Sequence, residues 1–242
     1  MRIVGYHRPT TIKEALGLLS RSGVRSVVLG GGTLVNRHGG DDAEAVDLQA
    51  LELDQITVSD DRVAIGAMVR LSHLADAESV PAWLRDLARR ELPSTLRSIA
   101  TVGGTVASAS ADSQLIAGLL VCDALVSLAT ATARFDLPLP QYLHDREVVG
   151  AHVITSVSVA VGGRAAVSRT SRTPADVPIV AVVGRIGTDG RLRIAATGVS
   201  MLPRLVGDDT PLDPPGDFRG SADYRRGLAQ TLTARVRREL EA

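Results

Sequence analysis

Two segments of this 242-residue chain combine consecutive glycines with threonine and small neighbours, residues 29–33 (LGGGT) and 101–105 (TVGGT). Glycine permits positive φ, and it lets a ligand approach peptide N–H groups with no Cβ in the way. Successive amides that point inward form a concave anion site, which suits a pyrophosphate. One such segment is more often a simple turn, but two of them favour a dinucleotide site. Neither segment contains G-x-G-x-x-G or G-x-x-x-x-G-K-[ST], which disfavours a Rossmann fold and a P-loop hydrolase.

The histidines, the cysteine and the serines give weaker indications of a functional site. The five histidines are dispersed without an H-x-x-x-H pair, and the only cysteine, Cys122, lies in an apolar run. The sequence therefore predicts no metal site and no intramolecular disulfide, and Cys122 is expected to be a small buried residue rather than a reactive thiol. Ser108 and Ser110 lie in a segment of small residues without an obvious base, so no catalytic residue is assigned.

Composition excludes several classes of protein. Lys plus Arg and Asp plus Glu are both 27, which gives zero net charge, and aromatic residues make up 2% of the chain. Nucleic-acid binders usually carry a basic excess, and single-strand platforms need aromatic rings, so neither is expected. No stretch approaches 18 apolar residues and the N-terminus lacks a signal core, which predicts a cytoplasmic protein without a membrane span.

The hydrophobic pattern predicts an α+β protein with a break near residue 150. Each glycine segment lies next to an element that would position it. A buried strand is predicted at 26–29, directly before the first segment, and a helix is predicted at 113–124, after the second. The residues from 94 to 110 are expected to form a loop. The other predicted strands cover 45–48, 56–58, 63–67, 153–161, 177–186 and 192–197, and the other helices begin near 12, 70 and 221.

Motifs in several separate places resemble one family. In the first half these are Tyr6 with the Arg-Pro pair 8–9, the E-A-x-x-L-L helix 14–19, the L-A-G-G-T-D-L loop over 29–35, I-G-A at 65–67, the I-R-N-x-A-T-V-G-G-N-I-A loop over 96–107, and A-S-P-x-S-D-L over 109–115 with D-A at 123–124. In the second half, residues 171–176 resemble an R-x-x-x-D segment, and residues 219–226 resemble R-G-S-A-x-Y-R-R. On these residues the chain resembles the FAD-binding medium subunit of the molybdenum hydroxylases, the xanthine dehydrogenase and carbon monoxide dehydrogenase group.

The resemblance spans essentially the whole chain and implies its fold. It implies a PCMH-type FAD-binding domain over residues 1–149. A small C-terminal α+β domain with an antiparallel sheet follows over residues 150–242, shortened after the Pro-Arg pair at 203–204.

The resemblance also implies a non-covalent FAD and the residues that bind it. Amides of the first glycine segment would hold the pyrophosphate, the second segment would close over it, two serines would line the ribityl or ribose region, and an apolar residue would lie near the flavin. The implied cofactor-binding residues are Leu29, Gly30, Gly31, Gly32, Thr33, Leu34, Val35, Thr101, Gly103, Gly104, Thr105, Ser108, Ser110, Gln114 and Ile154.

This chain departs from the family pattern at four positions. Leu34 replaces an aspartate, Thr105 an asparagine, and Gln114 an aspartate that usually anchors a sugar hydroxyl; Ser168 stands where some members have a lysine. Each lost contact contributes about 1 kcal/mol, so weaker FAD binding than in typical members is expected.

The leading functional interpretation is an electron-transfer flavoprotein subunit, and hence an FAD-dependent oxidoreductase. In the family, electrons from a molybdenum-cofactor subunit pass through an iron–sulphur subunit to FAD, and then to NAD or another acceptor. One alternative is a stand-alone FAD-dependent oxidase or dehydrogenase that acts on a metabolite. A second alternative is a structural subunit that no longer binds FAD.

Overall fold

Strands and short helices alternate through the chain, and a long helix closes it. The structure is a computed structural model that describes residues 1–35, 42–173, 176–207 and 210–242, so two residues of the 171–176 motif, 174 and 175, lie outside the described residues. The strands are β1 (Ile3–His7), β2 (Ser26–Leu29), β3 (Ala43–Asp47), β4 (Ile56–Ser59), β5 (Arg62–Gly66), β6 (Leu125–Ala129), β7 (Arg134–Pro138), β8 (Val153–Ala160), β9 (Arg164–Thr170), β10 (Val180–Ile186), β11 (Leu192–Thr197) and β12 (Arg204–Leu205). The helices are α1 (Ile12–Leu19), α2 (Leu71–Asp76), α3 (Ala82–Glu91), α4 (Ser94–Arg97), α5 (Val102–Ser108), α6 (Gln114–Val121), α7 (Leu139–Asp145) and α8 (Ala222–Glu241).

A parallel three-stranded sheet in the order β1-β3-β2 carries the first glycine segment at the end of its edge strand β2. Helix α1 begins where the sequence predicts it, because the Thr11 side chain caps it by accepting a hydrogen bond from the amide of Glu14. Ala15 and Leu16 on the inner face of α1 are buried together with Val46 of β3.

A five-stranded sheet in the order β4-β5-β8-β6-β7 forms the centre of the protein. Strand β8 pairs with both β5 and β6 in antiparallel register. The predicted break near residue 150 lies before β8, yet β8 belongs to a sheet whose other strands all precede that break. The sheet topology therefore favours a break after β8, at Gly162 and Gly163, both of which have positive φ.

The third sheet, β12-β11-β10-β9, is antiparallel and is covered by α8. Helix α6 contacts β10 and β11, and Val183 and Ala195 of this sheet belong to the same buried apolar cluster as α6. One apolar core therefore continues from the first unit of the chain, the residues before Gly162, into the second unit, the residues after Gly163.

A buried arginine joins the two units. Arg185 of β10 is 2% exposed and donates hydrogen bonds to the carbonyl oxygens of Val121 at 3.3 Å, Val161 at 3.2 Å and Gly162 at 3.2 Å. The nearby Cys122 is buried as the sequence predicts, and burial raises the pKa of its thiol to about 12.

The segment from 94 to 110 differs from the sequence-based expectation. It contains the helices α4 and α5 instead of a continuous loop. Thr101 is the reason for the second of these, because its hydroxyl oxygen accepts a hydrogen bond from the amide of Gly104 at 3.1 Å and caps α5. Glycine-rich composition lowers helix propensity, but this cap and the packing of α5 on β5 and β8 outweigh that cost.

Candidate functional site

A cavity of about 940 Å³ lies where the first glycine segment, helix α5 and the start of β8 meet. This volume is at the upper end of the range for small-molecule sites, about 300–1,000 Å³, as a long ligand requires. Its lining contains thirteen of the fifteen residues that the sequence analysis selects: Gly30, Gly31, Gly32, Thr33, Leu34, Val35, Thr101, Gly103, Gly104, Thr105, Ser108, Ser110 and Ile154.

The first glycine segment turns away from β2 against the residues that precede α5. Gly31 lies so close to this neighbour that an added Cβ would be 1.8 Å from the carbonyl oxygen of Ile99. Gly30 lies against Thr101, whose hydroxyl oxygen would be 2.9 Å from an added Cβ. Gly32 has φ +71°, a conformation that disfavours any residue with a side chain. The two glycine segments therefore pack against each other and form one wall of the cavity.

The second glycine segment is held by the central sheet. The amide of Gly103 donates to the carbonyl of Ala67 at 2.8 Å, and an added Cβ would be 2.7 Å from the Cβ of Ala67. Of the glycines in the two segments, only Gly32 has positive φ. Gly32 has the positive φ for which the sequence favours glycine, whereas Gly31 and Gly103 are required for close approach of one backbone to another.

The two segments differ in how many amides remain open to a ligand. In the second, the amides of Gly103 and Gly104 already donate to Ala67 and Thr101. In the first, the amides of residues 30–34 donate to no partner within the described ranges. Residues 30–34 therefore offer open amides on the cavity wall, and this donor set fits a phosphate group.

Hydroxyl groups extend this polar wall along α5. Thr105 and Ser108 each donate to a backbone carbonyl one turn earlier, of Thr101 and Thr105 respectively. Ser110 is exposed on the lining, and Ile154 is 7% exposed and supplies an apolar surface from β8.

Gln114 and Leu29 are the two selected residues that do not line the cavity. Gln114 is buried at the start of α6, where its side-chain oxygen accepts a hydrogen bond from Arg169 of β9 at 3.4 Å. Its side chain is therefore engaged with the second unit.

Three carboxylates that the sequence analysis did not select line the same cavity, Glu91, Asp112 and Glu147. Glu91 accepts a hydrogen bond from the amide of Leu115 at 3.0 Å, at the start of α6. Burial raises the pKa of Glu91, although hydrogen bonds from Ser113 and from the backbone oppose this effect. Asp112 could have been found from the sequence, because it lies inside the 109–115 motif, two residues before Gln114. Glu91 could not have been found in this way, because it lies in no such motif and its hydrogen-bond partner Leu115 is 24 residues later in the chain.

A tyrosine and a histidine also line the cavity. Tyr142 of α7 lies 3.2 Å from Nε2 of His152, and Nδ1 of His152 lies 2.8 Å from the carbonyl oxygen of Gly150. A carbonyl can only accept, so Nδ1 is the donor and Nε2 of the neutral ring accepts from the Tyr142 hydroxyl. Burial raises the pKa of Tyr142 to about 12, which keeps its phenol protonated.

The described residues contain neither a metal-ligand cluster nor a membrane-spanning helix. Across residues 1–35, 42–173, 176–207 and 210–242, no three His, Cys, Asp or Glu side chains are grouped so that they could hold a metal ion. Within the same ranges, no helix has the length and apolar character needed to cross a membrane.

Comparison with known proteins gives a family match over residues 2–160, to the family described as the FAD binding domain in molybdopterin dehydrogenase. The match includes β8 and ends at its last residue, Ala160.

Similar sequences and structures extend over nearly the whole chain. The protein YgfM of Escherichia coli K12 is 29% identical, over 95% of this chain and 93% of its own length. The 6-hydroxypseudooxynicotine dehydrogenase complex subunit alpha of Paenarthrobacter nicotinovorans is 25% identical, over 93% of this chain and 90% of its own. A chain of the reconstituted CO dehydrogenase from Oligotropha carboxidovorans superposes with a TM-score of 0.85 at 20% identity, covering 96% of this chain and 95% of that chain. This last likeness concerns the fold.

Proposed function

This chain belongs to the family of FAD-binding domains in molybdopterin dehydrogenases, and we propose that it is the flavoprotein subunit through which such a complex passes electrons from iron–sulphur clusters to NAD or another acceptor. Members of this family bind FAD and belong to oxidoreductase complexes. The electron path and the partner subunits are the proposed part.

The single observation that carries the proposal is the row of open amides at residues 30–34. They line a cavity large enough for a dinucleotide, and they are held there by the contacts of Gly30 and Gly31 with the second glycine segment. The fit to a pyrophosphate rests on these donors, since successive amides on a partly exposed cavity wall can donate together to a bound anion.

The remaining lining residues position the rest of the ligand. Thr101, Ser108 and Ser110 supply hydroxyl groups along α5, and Ile154 supplies an apolar contact from β8. Bound FAD supplies the redox chemistry, because it exchanges electrons in steps of one or two. The chain itself binds the cofactor, orients it and excludes water from the buried side of the cavity.

The proposed partners are an iron–sulphur subunit and a molybdenum-cofactor subunit. One relative is named as a subunit of a dehydrogenase complex, which supports a partnered role for this chain. The chain has one cysteine, so it cannot by itself supply the thiolates of an iron–sulphur cluster. An electron-transfer subunit of this kind needs clusters on another chain.

Spectroscopy of the purified protein tests cofactor binding. We expect a flavin spectrum, and release of intact FAD by heat or acid, since a non-covalent cofactor leaves the denatured chain. Protein that stays colourless after incubation with excess FAD would contradict the proposal and favour the structural-subunit alternative. Flavin that remains on the denatured chain would contradict non-covalent binding.

Purification from the native host tests the partners. We expect the chain to emerge with a cysteine-rich subunit and a molybdenum-containing subunit, and the isolated chain to oxidise no organic substrate at a useful rate. If the chain emerges alone and a metabolite bleaches its flavin anaerobically, with recovery in oxygen, the stand-alone enzyme is correct and the subunit proposal is wrong.

A further inference from the structure

Asp112 has one carboxylate oxygen engaged and one open. It lies on the cavity lining between the end of α5 and the start of α6, and its side chain is 26% exposed. Oδ2 accepts a hydrogen bond from Arg219 at 3.0 Å. Oδ1 has no hydrogen-bond partner among the residues that the structure describes. A carboxylate with a free oxygen on a cavity wall is a strong acceptor for a ligand N–H or O–H.

Arg219 comes from the far end of the chain and is itself fixed by a second carboxylate. Its Nε donates to Asp217 at 3.0 Å while Nη2 donates to Asp112. Asp217 in turn accepts from Arg225 of α8 at 2.7 Å, and Arg225 is 1% exposed. Burial opposes ionisation of Asp217, but the hydrogen bonds from Arg225 and Arg219 hold its pKa below the usual value. A series of alternating charges thus runs from buried Arg225 to the cavity wall.

We propose that Asp112 binds a hydroxyl group on the sugar portion of FAD, and that Arg219 is its positioning residue. This inference rests on the proposed function. A hydroxyl is the donor that FAD offers repeatedly, on both its ribityl chain and its ribose. Arg219 orients the carboxylate and leaves Oδ1 free, so the second unit of the chain contributes to cofactor affinity without lining this part of the cavity.

An ion pair that only joins the two units would have the same appearance in a static structure. The chain provides a matched control in Arg193 of β11, which donates to Asp123 of the first unit at 2.6 Å and to Asp189 at 2.8 Å. The Arg193 and Arg219 side chains are both 18% exposed. Neither Arg193 nor Asp123 lines the cavity, so this pair joins the units without touching the ligand site.

The experiment is titration of each apo-protein with FAD and with ADP, followed by calorimetry or flavin fluorescence, together with melting temperatures. We expect Asp112→Ala to weaken FAD binding about 10-fold, because a hydrogen bond to a charged group is lost. Asp112→Asn keeps the shape and is expected to weaken binding less. Arg219→Gln should weaken FAD binding several-fold in the parent, yet change it less than about twofold in the Asp112→Ala background. That loss of additivity is the signature of a positioning residue.

The control and the ADP titration complete the test. Arg193→Gln should lower the melting temperature about as much as Arg219→Gln does, with FAD affinity unchanged. A loss of ADP affinity in Asp112→Ala places the hydroxyl on the ribose, and retained ADP affinity places it on the ribityl chain.

Three results would overturn the inference. The first is unchanged FAD affinity in Asp112→Ala and Asp112→Asn while the parent binds FAD, which would leave the proposed function standing. The second is an equal loss of affinity in Arg193→Gln and Arg219→Gln, which would assign both pairs to structure alone. The third is a parent protein that binds no FAD, which would remove the proposed function as well.

Discussion

The backbone of Gly31 lies directly against the carbonyl group of Ile99, so that a Cβ on Gly31 would be 1.8 Å from the Ile99 oxygen. This contact joins the turn after β2 to the segment before α5. Because the open amides of residues 30–34 are on that turn, the geometry of the proposed phosphate site depends on it.

Gly31→Ala should therefore disrupt the site. The Ile99 carbonyl is backbone and cannot rotate away, so the turn must move. We expect a loss of FAD affinity of more than 10-fold and a fall in the free energy of unfolding of about 2 kcal/mol, as for an overpacked interior. Calorimetric FAD titration and urea denaturation provide the measurements.

The matched control is Gly227→Ala in α8, where nothing lies within 4 Å of the added Cβ. Alanine is favoured over glycine inside a helix by about 1 kcal/mol, so this variant should be more stable with unchanged FAD affinity. If Gly31→Ala binds FAD like the parent, the first glycine segment does not form the phosphate site.

Thr101→Val should weaken helix α5. The Thr101 hydroxyl oxygen accepts from the Gly104 amide at 3.1 Å, and valine has the same shape without that acceptor. We expect a loss of about 1 kcal/mol in the free energy of unfolding, and recovery of most of it in Thr101→Ser. Chemical denaturation of the three proteins checks this. Equal stability of the valine and serine variants would show that the cap contributes nothing.

Glu91→Gln should change the pH dependence of stability. The pKa of Glu91 is raised by burial, so the folded protein holds this proton more tightly than the unfolded chain does. The stabilisation is complete below the pKa of unfolded glutamate and is lost as the pH rises through the folded-state pKa. The parent should therefore lose stability relative to Glu91→Gln as the pH rises above 4.5.

Denaturation of apo-protein at a series of pH values gives this difference. The exposed Glu239→Gln, outside the cavity lining, is the control for replacing a glutamate elsewhere in the chain. A difference between Glu91→Gln and the parent that does not change with pH would contradict the prediction.

Arg185→Met should destabilise the junction between the two units. It removes the donor of the buried Val121 carbonyl and of the partly exposed Val161 and Gly162 carbonyls. A buried carbonyl left unsatisfied costs about 1–3 kcal/mol, so we expect a loss in this range in the free energy of unfolding. Arg164→Met, at an exposed position on β9, should be nearly neutral. An unchanged unfolding midpoint for Arg185→Met would show that water replaces the guanidinium.

Gln114→Asp should leave FAD affinity within about twofold of the parent. From the sequence, this change restores the family's aspartate and would tighten binding, but the Gln114 side chain bonds to Arg169 and does not line the cavity. Tighter FAD binding by Gln114→Asp in a direct titration would show that residue 114 contacts the cofactor.

Local pattern was enough to predict much of this protein. The glycine segments, the strand at 26–29 and the helix that starts at Thr11 are determined by residues close together in the chain, because turns and caps involve neighbours. The resemblance in those same segments gave the family and the cofactor, which the comparisons confirm.

Tertiary structure decided which of these residues can reach a ligand. The Gly103 amide is closed by Ala67, 36 positions earlier, and Gln114 is turned to Arg169, 55 positions later. Asp112 is held at the cavity by Arg219, 107 positions later. A pattern read along the chain cannot locate such partners, because they are brought together by the pairing of β8 with β5 and β6 and by the packing of α6 on the third sheet. The sequence therefore specifies where amides and carboxylates occur, and only the packed fold determines which of them remain free to bind.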